Sequence, residues 1–133
     1  MNPDRGLLDT SVLIAAEVGR DVRSDRMPKV HAVSVVTAAE LQAGVLSARD
    51  TDTRARRLAT FDRMADMALL PIDETVAAEW ARLRVYLAEQ GRRVNVNDLW
   101  IAATAAAHRI PVVTQDTDFD PLEGASGVVI VRV

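Results

Sequence analysis

The most informative absences in this 133-residue sequence are those of cysteine and of long apolar runs. Without cysteine the chain forms neither disulfides nor thiolate metal sites, which is compatible with the cytoplasmic location that we expect. No apolar stretch reaches the roughly 18 residues needed to span a membrane, so we expect no membrane partner. Segment 6–16 has the length of a signal-peptide core, but Asp9 interrupts it and no basic run precedes it, so we expect no export signal in it.

Lysine is also scarce, because 15 of the 16 basic residues are arginine. The formal net charge of −3 argues mildly against a nucleic-acid partner. The arginines are concentrated in stretches 49–63 and 92–93, however, and burial of an acidic cleft would leave a more basic exterior. Arginine also binds phosphate with a planar fork that lysine lacks. A phosphate-bearing partner therefore remains open.

Short apolar runs alternate with helical patterns along a chain long enough for one domain, residues 1–133. Strands are predicted at 6–8, 31–36, 67–72, 111–114 and 128–131. Helices are predicted at 12–18, 37–48, 73–87 and 97–107, with a further helix that carries Leu58, Phe61 and Ala65 inward. This alternation implies right-handed crossovers and a mainly parallel sheet of four to five strands, covered on both faces. The fold class is α/β.

Four acidic residues stand where a predicted strand ends or a helix begins: Asp9, Glu40, Asp98 and Asp116. In an open parallel sheet the strand ends that carry ligands lie along one edge, so acids distant in sequence can meet in one cleft. Two carboxylates roughly 5 Å apart repel by about 3 kcal/mol at an effective dielectric of about 20. A cluster of four therefore favours a bound cation, and all-oxygen ligation suits Mg²⁺ or Mn²⁺.

Each of these acids also has a purely structural interpretation. Asp9 can serve as a turn or capping residue just before the helix that opens at Thr10-Ser11. Asp98 can complement the dipole of its own helix. Glu40 completes a capping box with Thr37, which would account for it fully. These alternatives stay open when the acids are considered one at a time.

Neighbouring polar residues receive their own interpretations. Asn97 is predicted to cap the helix that contains Asp98, and Asp118 is a candidate fifth ligand beside Asp116. Asp120 precedes a proline and is interpreted as a turn residue. Asp73 is interpreted as a plain helix cap. His31 and His108, the only two histidines, are also interpreted as structural residues.

Four segments of the chain together resemble the PIN-domain family and, within it, the VapC-like ribonuclease toxins. They are LLDTS (7–11), VVTAAEL (35–41), VNDLWIAATA (96–105) and VVTQDTDF (112–119). The resemblance implies a small α/β/α sandwich whose acids bind Mg²⁺ or Mn²⁺ and cleave single-stranded or loop RNA. It also implies a homodimer and a cognate antitoxin that inserts a segment over the cleft.

The resemblance assigns roles to individual residues. The metal-binding acids of the family correspond to Asp9, Glu40, Asp98 and Asp116, with Asp118 as the auxiliary acid. Accompanying polar positions, which orient ligands or contact substrate, correspond to Thr10, Ser11, Asn97 and Thr114. The resulting hypothesis is metal-assisted hydrolysis of RNA by a toxin endoribonuclease, with Glu40 orienting or deprotonating the attacking water.

Other functions remain open from the sequence. Arg92 and Arg93 are either solvated loop residues or contacts to the RNA backbone. A phospho-acceptor signalling domain is a rival, but it needs a lysine at a late strand end, and the only lysine, Lys29, lies in an early loop. A catalytically silent partner-binding module and a nuclease that cuts DNA are two further alternatives.

Overall fold

Five short parallel strands form the centre of the computed structural model, which describes residues 3–133. They are β1 (Arg5–Leu8), β2 (Val30–Ser34), β3 (Ala68–Leu70), β4 (Val112–Thr114) and β5 (Ile130–Arg132). Their order across the sheet is β3-β2-β1-β4-β5, and each neighbouring pair is parallel. The chain builds one side of the sheet from β1 and then returns to the other side, so the topological switch point lies between β1 and β4.

In the described part of the chain, five α-helices connect and cover the strands. They are α1 (Thr10–Glu17), α2 (Val35–Ser47), α3 (Thr51–Asp62), α4 (Glu74–Glu89) and α5 (Val96–Ala107). Within residues 3–133, no helix is both long enough and apolar enough to cross a membrane.

Both faces of the sheet are buried, as the alternation of side chains along each strand shows. Leu7 and Val112 belong to a core formed mainly with α4 and α5. Their neighbours Leu8 and Val113 belong to a second core that includes residues of α1 and α2. Because successive side chains of a strand point to opposite faces, these two cores lie on opposite sides of the sheet. The predicted α/β sandwich with a parallel central sheet is therefore confirmed.

The boundary between β2 and α2 differs from the prediction. The strand ends at Ser34, and Val35 and Val36 form the first turn of the helix although β-branched residues favour strands. The Ser34 hydroxyl accepts a hydrogen bond from the Val36 amide at 3.0 Å and caps the helix. The predicted capping box of Thr37 and Glu40 is therefore wrong, which leaves the Glu40 carboxylate available for other contacts.

Helix α3 contributes less to the core than its sequence indicated. Leu58 is 45% exposed and Ala65, just beyond the helix, is also exposed, so their predicted inward orientation is wrong. Phe61 is half-buried, and the helix buries Thr60, whose hydroxyl donates to Glu17 Oε1 at 2.8 Å. A helix this polar is held by such side-chain contacts rather than by a broad apolar stripe.

Candidate active site

The acidic residues predicted for the site converge at the carboxyl edge of the sheet. Asp9 follows β1 directly, Asp116 follows β4, Glu40 lies in the second turn of α2, and Asp98 lies in the first turn of α5. The ionisation of Asp98 is opposed by the charges of Asp9, Asp118, Asp116 and Glu40, in that order. Five carboxyl groups from four separate chain segments therefore share one electrostatic environment beside the switch point.

Asp9 is the most buried of these acids, with only 3% of its surface exposed. It occupies the N-cap position of α1, as the structural alternative proposed, but its side chain makes no capping hydrogen bond to the helix. Instead, Oδ2 accepts hydrogen bonds from the Ser11 hydroxyl at 2.7 Å and from the Thr114 hydroxyl at 3.0 Å. Burial raises the pKa of Asp9, whereas these two hydrogen bonds act in the opposite direction.

Thr114 connects the two strands that flank the switch point. Its hydroxyl lies 3.0 Å from Asp9 Oδ2 and 3.2 Å from Asp116 Oδ1. A hydroxyl has a single proton to donate, so it serves one of these carboxylates at a time. Asp116 Oδ1 also accepts a hydrogen bond from the Asp118 amide at 3.1 Å, which shapes the turn after β4. The side chains of β1 and β4 are thereby held in register at the site.

Glu40 is held by α1 rather than by its own helix. The Thr10 hydroxyl donates to Glu40 Oε1 at 2.9 Å and lies 3.1 Å from the Thr37 hydroxyl. The prediction identified Thr10 and Glu40 but treated Thr37 only as a cap. Thr37 is fully buried inside the cluster, a position that follows from the early end of β2 and could not be read from the local sequence.

Among the acids of the site, Asp98 has the most strongly shifted pKa. Burial, reinforced by the neighbouring carboxylates, raises its pKa to about 7. Across residues 3–133, no arginine or lysine forms an ion pair with any of the five acids. Such an uncompensated cluster at a sheet edge is typical of functional sites and is unfavourable for the empty protein.

The donor set fits a hard divalent cation. All the available ligands are carboxylate and hydroxyl oxygens, which Mg²⁺ and Mn²⁺ prefer. Within residues 3–133, no three histidine, cysteine, aspartate or glutamate side chains are placed to hold a metal ion together. Mg²⁺ usually keeps several waters and is held by one or two carboxylates together with substrate phosphates, so an open cluster suits it better than a closed cage.

Two predictions about loop residues have different outcomes. Asn97 does not cap α5, because the cap is Asn95, whose side chain accepts a hydrogen bond from the Asn97 amide at 2.9 Å. Arg92 and Arg93 line a cavity of about 490 Å³ together with Asp98. The sequence placed them near the site, and the structure brings them to its rim.

The residues predicted to be structural are so. Asp73 Oδ1 accepts a hydrogen bond from the Val76 amide at 2.9 Å and caps α4. A ring nitrogen of His31 lies 3.1 Å from the Pro28 carbonyl oxygen, and His108 ends α5.

Gln115 is a site residue that the sequence did not indicate. Its backbone amide donates to the Ser11 hydroxyl at 3.1 Å, and its side-chain amide donates to the Asp21 and Val133 carbonyl oxygens. It therefore fastens the loop after α1 and the end of the described chain to the acid cluster. Only its position directly after a strand end could have drawn attention to it.

Comparisons with known proteins agree with this architecture. Residues 6–124 match the PIN domain family. Ribonuclease VapC5 of Mycobacterium tuberculosis (strain ATCC 25618 / H37Rv) is 56% identical over 131 residues, which span 98% of this chain and 97% of that protein. Ribonuclease VapC4 of the same strain is 46% identical over 120 residues, which span 90% and 92%.

A solved structure is also similar over nearly the full chain. It is the crystal structure of VapBC-5, a member of the VapBC family of toxin-antitoxin systems from Mycobacterium tuberculosis. It matches with a TM-score of 0.93 and 54% sequence identity, covering 98% of this chain and 100% of that chain. On these grounds the chain belongs to the PIN-domain family, on its VapC branch.

Proposed function

We propose that this protein is a Mg²⁺- or Mn²⁺-dependent endoribonuclease that acts as the toxin of a toxin-antitoxin pair. The observation that carries the proposal is the convergence of Asp9, Glu40, Asp98, Asp116 and Asp118 at one sheet edge without a cationic partner in the described chain. The relatives named ribonuclease support the choice of RNA as the substrate.

The side chains of the cluster would have different roles in binding the cation and orienting its ligands. Asp9, Asp98 and Asp116 would hold the cation, with Asp118 as an auxiliary ligand. A bound divalent ion supplies charge stabilisation for the scissile phosphate and lowers the pKa of water. The hydroxyls of Ser11 and Thr114 keep the Asp9 carboxylate in one orientation.

Glu40 is the candidate residue for orienting or deprotonating the attacking water molecule. Thr10 fixes its Oε1, whereas Oε2 has no hydrogen-bond partner in the described part of the chain. That free oxygen can orient a water molecule or accept its proton as the water oxygen attacks phosphorus and the phosphodiester bond breaks.

The direct test is cleavage of single-stranded RNA by the purified protein with Mg²⁺, with Mn²⁺ and with EDTA. We expect cleavage with either metal, none with EDTA, and a loss of at least about 100-fold in the Asp98→Asn variant. The matched control is Asp73→Asn, which changes another acid at a helix start but keeps a good cap, and it should cleave as wild type does. Equal cleavage by the Asp98→Asn protein would contradict the assignment.

A DNA oligonucleotide of the same sequence separates the related alternative. Cleavage of DNA with no cleavage of RNA would replace the proposed substrate. The phospho-acceptor alternative is disfavoured by Lys29, which precedes β2 at the opposite edge of the sheet and lies 3.6 Å from Asp4. A catalytically silent module would bind no Mn²⁺ and cleave neither substrate.

A cognate antitoxin that covers the cleft is part of the proposal. A cavity of about 510 Å³ runs from Thr10 and Glu40 along α1 and is lined by Ile14 and Val18, which are 38% and 58% exposed. An apolar segment of a partner could be seated there next to the acids. The Ile14→Asp variant should keep RNA cleavage but escape inhibition by a co-expressed antitoxin. Inhibition equal to that of wild type would remove this surface from the proposal.

The homodimer and the cytoplasmic location stay predictions. Light scattering should give twice the mass of one chain for the free protein, and fractionation of cells should recover the protein with cytoplasmic markers. A single-chain mass at micromolar concentration would contradict the dimer.

A further inference from the structure

A second cavity adjoins the one at the acid cluster. The first, of about 490 Å³, is lined by Asp98 and Asp118 together with the loop from Arg92 to Asn95. The second, of about 650 Å³, is lined by the same loop residues and by Trp80, Arg84 and Leu87 of α4. Because Arg92, Arg93, Val94 and Asn95 line both cavities, the two adjoin along this loop, and we refer to them together as the groove.

Three arginines line this groove, and none of them is neutralised. In the described chain, the guanidinium groups of Arg84, Arg92 and Arg93 have neither a hydrogen-bond nor an ion-pair partner. On the same helix, by contrast, Arg82 is paired with Glu79. The groove therefore begins with negative charge at the acids and continues with at least three free positive charges.

The wall of the groove also contains apolar and aromatic surface. Trp80 stacks on Trp100 with a centroid separation of 5.0 Å and an interplanar angle of 23°. Val96, which is 62% exposed, lines the groove together with Trp80, whereas the lining residues Leu87 and Leu99 are almost fully buried. Positive charge that follows a backbone, together with flat apolar surface for bases, is the combination found in grooves for single-stranded nucleic acid.

We propose that the groove from Asp98 past Arg92 and Arg93 to Arg84 holds the RNA strand on one side of the scissile phosphate, with its backbone phosphates on the three arginines. This proposal rests on the proposed endoribonuclease function and deepens it. It assigns Arg84 to the substrate site, 14 residues before Asp98 in the sequence and on another helix. The contacts are to phosphate, so the groove contributes affinity more than sequence preference.

A single RNA strand accounts for the groove better than an acidic peptide. Guanidinium groups suit the fork geometry of phosphate, and the groove starts at the acids, where the scissile phosphate would be positioned by a cation. A peptide carboxylate that continued into the acid cluster would be repelled there. Polyglutamate is therefore the appropriate competing ligand.

The test measures binding of a fluorescein-labelled 12-nucleotide single-stranded RNA in EDTA, in the uncleaving Asp98→Asn background, by anisotropy between 50 and 300 mM KCl. Each of the changes Arg84→Gln, Arg92→Gln and Arg93→Gln should reduce the slope of log affinity against log salt by roughly 0.7. The triple variant should bind at least about tenfold more weakly at 100 mM KCl. The matched control is Arg5→Gln, which removes an exposed charge at the amino end of β1 and should leave the slope unchanged.

Each result supports or overturns the groove assignment. Unchanged affinity and slope in the three groove variants would overturn it, and so would an equal loss in the Arg5→Gln control. Binding of a 12-residue polyglutamate with the same dependence on the three arginines would overturn it in favour of a peptide. Cleavage by wild-type protein with Mg²⁺, measured in parallel on the same RNA, tests the proposed function separately: if wild type cleaves and the groove variants bind normally, only the groove assignment fails.

Discussion

The loop that follows β4 contains two pairs of acids in opposite electrostatic settings. Asp116 and Asp118 face the acid cluster, and no cation in the described chain pairs with them. Asp120 and Glu123, a few residues later, both pair with the guanidinium group of Arg132 on β5, with Glu123 Oε1 at 2.9 Å from Nη1. One half of the loop is neutralised from within the protein, whereas the other half is left for a ligand.

The neutralised half of the loop, with Asp120 and Glu123, also anchors the half that contains Asp116 and Asp118. Arg132 pairs in register with Thr114, the residue whose hydroxyl contacts both Asp9 and Asp116. The ion pairs therefore fix the end of the loop at the same level of the sheet as the site. A chain that had needed only stability could have paired all four acids, and the unpaired ones identify where function takes precedence.

The largest expected effect compares one acid from each half of the loop. Asp116→Asn should reduce RNA cleavage at least about 100-fold, because the amide neither carries charge nor accepts as a carboxylate does. Asp120→Asn should retain most of the activity, since its carboxylate pairs with Arg132. Single-turnover cleavage rates, with circular dichroism to establish folding, measure both. Comparable losses in the two variants would remove the distinction between the halves.

The second prediction uses the cation itself. A ligand that binds only the folded state stabilises it by about 2.7 kcal/mol at a concentration 100-fold above its dissociation constant. Thermal unfolding with Mn²⁺ should therefore shift upward relative to unfolding in EDTA. The shift should disappear in the Asp98→Asn protein and persist after Asp73→Asn. An equal shift in both variants would place the ion elsewhere.

The third prediction concerns pH. The pKa of Asp98 is raised from 3.8 to about 7 by burial and by its acidic neighbours. Between about pH 4 and pH 7 the folded state binds a proton that the unfolded state has released, so the free energy of unfolding falls as pH rises through this window. After allowance for solvent screening the loss attributable to Asp98 is about 1–2 kcal/mol.

Urea unfolding in EDTA at pH 5, 6, 7 and 8 measures this effect as the difference between wild type and Asp98→Asn. The variant should gain stability relative to wild type as pH rises, and it should be the more stable protein at pH 8. Parallel curves for the two proteins would show that the cluster does not perturb Asp98.

The smallest expected effect is the loss of stability when the ion pairs of Asp120 and Glu123 with Arg132 are broken. Arg132→Gln breaks two partly exposed ion pairs and should lower the free energy of unfolding by about 0.5–1 kcal/mol. The Mn²⁺ affinity of the acid cluster should stay close to that of wild type, because Arg132 contacts none of the candidate ligands. A large loss of Mn²⁺ affinity would mean that the two halves of the loop act as one unit.

Much of the site could be predicted because strand ends are visible in the sequence. Asp9 and Asp116 directly follow short apolar runs, and parallel topology alone brings such positions to one edge. Asp98 was identifiable as an acid in the first turn of an apolar helix. These three predictions needed only the order of elements and not their detailed packing.

The errors arose where tertiary contacts override local preference. Val35 and Val36 favour a strand by type, but Ser34 caps the helix before them, and this shift removes the capping alternative for Glu40, which was also predicted as a site residue. Asn95 rather than Asn97 caps α5 for a similar reason, since both residues are suited to the role. The groove at Arg84 could not be predicted, because it depends on how α4 and α5 pack against each other.

The most direct test of the central claim is calorimetric titration of the apo protein with Mn²⁺ at pH 7.5. We expect saturable binding to wild type, with binding abolished or weakened at least about tenfold in Asp9→Asn, Asp98→Asn and Asp116→Asn and unchanged in Asp120→Asn. Absence of binding to wild type, or wild-type affinity in all three cluster variants, would contradict the account.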